Sequence, residues 1–160
     1  MFKIDEFNAG SYSDAGAAKN EAEHISMGLY PNNASECGKE LWLRQQYFLA
    51  SGSLKYVIRL WEETDGLDYS SFAQFNVFQM NDTHPTIAVA ELMRLLLDEK
   101  HMEWGPAWEI TTRTMAYTNH TLLPEALERW SVTLMERLLP RLMEIIYQIN
   151  KMFLQDIALQ

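Results

Sequence analysis

Apolar residues recur three and four positions apart over long stretches of the chain, and this spacing predicts helices. From Lys39 to Glu63, the residues Leu41, Tyr47, Phe48, Leu54, Val57, Ile58 and Trp61 keep that interval. They define one long amphipathic helix with Gly52 as its weak point and Thr64-Asp65-Gly66 as its stop. An earlier helix is expected from about Ser13 to Met27, begun by Ser13 or Asp14 and ended at Gly28, before a turn at Pro31-Asn32-Asn33. Further helices are expected over Thr86 to Glu99, from Gly105-Pro106 to about Thr112, and from Pro124 to Arg129. Another follows Ser131 as its cap, and the last runs from Arg141 to Phe153 with Leu142, Ile145, Ile146, Ile149 and Phe153 on one face.

Two short runs break the helical period. Asn76-Val77-Phe78-Gln79-Met80 reads as a buried strand, and Met115-Ala116-Tyr117-Thr118 as a second. Each is followed by a polar turn, Asp82-Thr83-His84 after the first and Asn119-His120-Thr121 after the second. Strands separated by helices define a helix-rich α/β chain, with two short parallel strands and five or more helices. In such folds functional residues gather at the carboxyl ends of the strands, where both polar turns fall. Two strands are fewer than a stable sheet needs, so the chain reads as a slice of a larger one. Apolar faces built to meet further neighbours are expected on its surface.

Composition narrows the function. Hydrophobic residues make up 48% of the 160, enough for a packed core. The net charge of -9 repels nucleic acid and anionic lipid, and neither is expected as a partner. No apolar run approaches the ~18 residues of a membrane span. The single cysteine, Cys37, fits a reducing, cytoplasmic setting. His24, His84, His101 and His120 show none of the spacings of a metal site, and no metal is expected. No glycine-rich phosphate loop is present.

Four ordered blocks carry a resemblance. They are Leu29-Tyr30-Pro31-Asn32 with Gly38-Lys39-Glu40-Leu41; Asn81-Asp82-Thr83-His84-Pro85-Thr86; the run from Ala116 to Trp130; and Leu138-Leu139-Pro140-Arg141 with Ile145-Ile146-Tyr147-Gln148-Ile149-Asn150. Together they resemble the α-1,4-glucan phosphorylases that act on glycogen, starch or maltodextrin. The resemblance implies that residues 1–160 are one interior segment of the family's N-terminal domain, a Rossmann-like half of a GT-B fold, with the C-terminal cofactor domain absent. It implies phosphorolysis of terminal α-1,4-glucosidic bonds to glucose 1-phosphate, with glucan and phosphate as substrates and a homodimer formed through the 12–27 helix. It also implies pyridoxal phosphate in the whole enzyme and none bound by this chain alone, which is then expected to be inactive by itself.

Carried over by position, His120 is the catalytic candidate. In the family its side chain meets the sugar's 6-hydroxyl, and its carbonyl dipole faces charge developing at the anomeric carbon. Asp82, His84, Asn119 and Thr121 are implied to line the sugar, and Glu125 and Glu128 to support their neighbours. Asn33 and Ala34 stand in the family's mobile gate. Members commonly read Asn-Asp-Asn there, and Ala34 lacks the side chain of the last Asn. Trp42 and Leu142 depart from a usual Arg and His, and Leu60 stands where animal members have the second of two Arg used for nucleotide activation, which argues against nucleotide control. None of Lys3, Lys19, Lys39, Lys55, Lys100 and Lys151 has the context of the family's cofactor lysine.

Taken alone, each site residue has a plainer reading. Asp82-Thr83-His84-Pro85 is an ordinary helix start, His120 a hydrogen-bonded turn histidine, and Glu125 and Glu128 carboxylates in a helix's first turn. The alternative function is a non-catalytic helical scaffold or interaction protein, or a decayed remnant of the family.

Overall fold

The computed structural model describes residues 12–28, 31, 35–123 and 127–158. They form two compact units, Met1–Gln45 and Gln46–Gln160, with the boundary inside one helix.

In the first unit α1 spans Tyr12–Met27, and α2, Glu36–Asp65, begins. The end of α1 leaves carbonyls without intrahelical partners. Buried Gln45 satisfies two of them, its Nε2 donating to Ile25 O at 2.8 Å and to Gly28 O at 2.6 Å. The described side chains of α1 are mostly exposed.

In the second unit α2 continues without a break through Gly52. It ends at Gly66, whose φ of 72° supplies the left-handed turn that terminates many helices. The chain then forms a short helix α3 (Phe72–Phe75), strand β1 (Phe78–Asn81), helix α4 (Ala88–Arg94) and a π-helical turn (Leu95–Glu99). Helix α5 (Trp104–Thr114), strand β2 (Met115–Thr118), helix α6 (Val132–Leu138) and helix α7 (Pro140–Ala158) complete it. The two strands pair in parallel, from Phe78 opposite Met115 to Asn81 opposite Thr118. Parallel pairing needs a long crossover, which α4 and α5 supply.

The core lies where α4 is wrapped by α2, α5 and α7. Leu92, Met93, Leu95 and Leu96 of the α4 segment pack with Leu54, Ile58 and Trp61 of α2, Ala107 of α5, and Leu142 and Ile145 of α7. Phe72 closes one end, edge-on to Trp61 with ring centroids 5.3 Å apart. Glu91 is fully buried in this core. Its Oε1 accepts from Ser51 Oγ at 2.6 Å and from Arg94 Nη2 at 2.9 Å, and its Oε2 from Arg94 Nε at 2.8 Å. The Glu91 hydrogen bond is the main cause pushing the Arg94 guanidinium further above its already high range. At the far end of the same segment, Asp98 accepts two bonds from Arg141 on α7, at 2.7 and 2.9 Å.

Five expectations change. The helix expected from Thr86 begins at Ala88, and the residues before it close in four-residue turns instead, Thr86 N–H donating to Thr83 O, Ala88 N–H to Pro85 O and Val89 N–H to Thr86 O. Its later part widens into the π turn, which lets the consecutive Leu95 and Leu96 both face the core. The first strand is not buried throughout: Val77 is 70% exposed, and Met80 is the strand's buried residue. Residues 127–130 are non-helical, so Glu128 does not sit in a helix's first turn. Phe153 is 61% exposed, because α7 runs on past the core after Ile149. Leu154 and Ile157 are exposed beside it, an apolar face of the expected kind. The cap at Ser131 is as expected, its Oγ accepting from Leu134 N–H at 3.2 Å.

Candidate functional site

Because β1 and β2 run parallel, their carboxyl ends lie side by side, and both polar turns leave from the same edge. The ladder continues one step beyond the strands, with Asp82 N–H donating to Thr118 O at 2.9 Å. Asp82 then takes a φ of 60°, a left-handed conformation that Asp tolerates better than most residues. That turn aims its carboxylate across the strand pair. Asp82 Oδ1 accepts from the backbone N–H of His120 at 2.9 Å. The His120 ring closes a second link, its Nε2 hydrogen-bonding Asn81 Oδ1. Gln79 Nε2 donates to Thr118 Oγ1 at 2.7 Å just before the turns. The two tips therefore converge, joined by one backbone ladder bond, one charge-assisted bond and one ring contact.

A third segment reaches the same place. Glu128, on the loop before α6, has its Oε1 3.0 Å from His84 Nδ1. Both its oxygens accept from Gln46 Nε2 of α2, at 2.9 and 3.0 Å. A carboxylate accepting on both oxygens is held in one rotamer, so α2 fixes Glu128 and Glu128 fixes His84. Asn119 and Thr121 turn towards each other instead, with Asn119 Nδ2 donating to Thr121 O at 3.0 Å. Asn33, Ala34 and Glu125 lie outside the described residues.

The arrangement is polar, exposed at its rim and tied to rigid elements beneath. Two carboxylates, two imidazoles and three amides converge there, a set suited to the hydroxyl groups of a neutral polyol. Gln46 is the residue that motif reading passed over. The signal for it was present: it falls on the buried stripe of α2, four positions before Ala50, and a polar residue on such a stripe needs a partner. Asn81 was also passed over, as a strand-end residue whose side chain turns back over its neighbour. Among the described residues no group of histidine, cysteine and carboxylates is placed to hold a metal ion. No described helix is long and apolar enough to cross a membrane.

The parallel strand ends carry a joined Asp82–His120 pair on a helix-rich α/β segment, and sequence comparison places that segment: the chain belongs to the carbohydrate phosphorylase family, whose sequence profile matches residues 1–160. The chain is 50% identical over 159 residues to a glycogen phosphorylase of Synechocystis, covering 99% of this chain and 19% of that protein. It is 49% identical over 154 residues to glycogen phosphorylase 2 of Dictyostelium discoideum, covering 96% and 15% respectively. It is 46% identical over 164 residues to the muscle form of glycogen phosphorylase from Ovis aries, covering 98% and 20%. The chain thus spans a fifth or less of the length of these relatives.

Proposed function

We propose that this segment supplies one wall of the glucosyl site of an α-1,4-glucan phosphorylase, which releases glucose 1-phosphate from terminal residues of glycogen or maltodextrin. The observation that carries the reading is the bond from His120 N–H to Asp82 Oδ1 at 2.9 Å, which binds the two turns into one surface. His120 is the catalytic candidate. Its side chain meets a sugar hydroxyl, and its backbone carbonyl presents a dipole to positive charge growing at the anomeric carbon. Such a dipole stabilises the transition state more than the ground state. Asp82, His84, Asn119 and Thr121 line the sugar, and Glu128 holds His84. Asn33 and Ala34 belong to the gate and Glu125 to the support of the site.

Pyridoxal phosphate goes with this activity in the family, where its phosphate exchanges a proton with the substrate phosphate. The described residues do not fit that group. Lys19, Lys39 and Lys55 are paired with Glu23, Glu36 and Glu99 at 3.6, 2.9 and 3.0 Å, and Lys100 is paired with Glu62. Lys151 is exposed on α7. None stands at the strand ends. The cofactor lysine and the phosphate-binding cations therefore fall to another part of the enzyme, as does turnover. A homodimer contact through exposed α1 and a cytoplasmic setting complete the reading.

The test is a chimera in which this chain replaces the matching segment of the Synechocystis enzyme. Glucose 1-phosphate formation from maltodextrin is expected to persist in the chimera and to fall at least about a hundredfold on His120→Ala. A chimera that folds, holds its cofactor and forms no product defeats the proposal.

A further inference from the structure

We infer that Asn81 is a positioning residue of this site, whose side-chain oxygen fixes the rotamer and the ring hydrogen of His120. The inference rests on the glucosyl-site reading for its purpose, while the contact itself stands without any sugar. Gln79 and Asn81, both exposed on β1, reach across to the second strand in the same way. Gln79 lies opposite Ala116 in the register, and its Nε2 donates to Thr118 Oγ1, two residues further on. Asn81 lies opposite Thr118, and its Oδ1 meets the ring Nε2 of His120, again two residues further on. Residues two apart on a strand share a face, so Gln79 and Asn81 are successive cross-links of one face. The second cross-link carries the order of the sheet past the end of β2, onto the side chain that the reading places against the sugar.

His120 is thereby held at two points by adjacent residues. Asp82 Oδ1 takes its backbone N–H at 2.9 Å, which joins the turns but does not act on the side-chain angles. Asn81 Oδ1 takes the ring, which fixes them. An amide oxygen only accepts, so the hydrogen of this bond is on the ring's Nε2. In the neutral ring Nδ1 is then the acceptor, and the orientation of the ring decides where that acceptor points. Ordering an exposed side chain at the moment of binding weakens affinity. Asn81 orders the ring beforehand, so a hydroxyl entering the site meets an acceptor already aimed.

The experiment uses the 160-residue chain with isotope-labelled histidine, whose four residues give a sparse spectrum, and with no sugar present. Three-bond couplings to Cγ report the χ1 rotamers of His120, and nitrogen-15 shifts report its tautomer at a pH where the ring is neutral. The parent is expected to hold one dominant rotamer with the hydrogen on Nε2. Asn81→Ala is expected to lower the ratio of that rotamer to the others by about fivefold, as for the loss of one ordinary hydrogen bond. Asn81→Leu, close in bulk and lacking the acceptor, is expected to do the same, which covers the case in which the alanine variant does not fold. Asn81→Asp keeps an acceptor at the same reach and is expected to keep the parent rotamer. An unchanged ratio in a folded alanine or leucine variant overturns the inference. So does an aspartate variant as averaged as these, or a parent ring with its hydrogen on Nδ1. In the Synechocystis chimera Asn81→Ala is expected to lower kcat/KM for maltodextrin about fivefold, and an unmoved value overturns the positioning role. An inactive parent chimera with the rotamer change intact defeats the phosphorylase reading and spares the ring contact.

Discussion

Replacing Arg94 with methionine tests how the core of the second unit is held. Glu91 has no exposed surface, and two of its three described side-chain hydrogen bonds come from Arg94. Methionine matches the arginine stem in bulk and keeps the packing, so the change isolates the charge. Glu91 would then keep Ser51 Oγ as its one described side-chain donor. Stranding a buried charge in this way costs roughly 3–5 kcal/mol. That is a large share of the ~5–15 kcal/mol that holds a typical domain folded. Glu99 also loses its Arg94 contact but keeps Lys55 at 3.0 Å, at a partly exposed position where the loss is small. Urea unfolding followed by tryptophan fluorescence should show the midpoint falling by on the order of 2 M. The double change Glu91→Leu with Arg94→Met removes both charges and should recover most of that loss. A single variant within about 1 kcal/mol of the parent, or a double variant no better than the single, would refute the reasoning.

Two further outcomes follow from the same contacts. Hydrogen bonding from Arg141 holds the Asp98 carboxyl below its usual range, and hydrogen bonding from Lys100 does the same for Glu62. Groups depressed on folding stabilise the folded state above their unfolded pKa and cease to do so as pH falls through the folded one. Stability should therefore hold from neutrality to about pH 5 and decline below it; thermal melts across that range check this, and a midpoint rising on acidification contradicts it. Ser131→Ala removes the cap of α6 and should cost about 1 kcal/mol by chemical denaturation, while Ser131→Asp should restore it.

Much of this fold was legible because helical periodicity reports burial directly. The stripe of Leu54, Ile58 and Trp61 is buried as its spacing predicts, and the strand at Met115–Thr118 falls where the apolar run ends in polar residues. The pattern failed where a residue's environment depends on distant chain. Phe153 is apolar and in phase with Ile145, Ile146 and Ile149, yet no described element covers it, and periodicity carries no information about that; Val77 shares the exposed face of Gln79, opposite Phe78 and Met80. The π turn escaped for a local reason. Leu95, Leu96 and Leu97 satisfy a helical pattern in any phase, so their spacing cannot reveal that two consecutive residues both face inward. At the site, the motif supplied Asp82, His84 and His120. It could not supply Gln46, whose contact with Glu128 spans 82 positions of chain. Glu128, a candidate of the motif, was expected on the wrong local structure, since a carboxylate near a proline reads as a helix start whether or not the helix forms.

The central claim is that the Asp82 turn holds the His120 turn in the geometry that meets the sugar. The direct measurement is the rate of glucose 1-phosphate formation by the Synechocystis chimera carrying Asp82→Gly, which deletes the acceptor of the His120 N–H and still accommodates the left-handed φ of 60°. Loss of a hydrogen bond to a charged partner should lower kcat/KM roughly tenfold to a hundredfold, with the unfolding midpoint barely moved. A variant that folds and turns over maltodextrin at the parent rate would contradict the account.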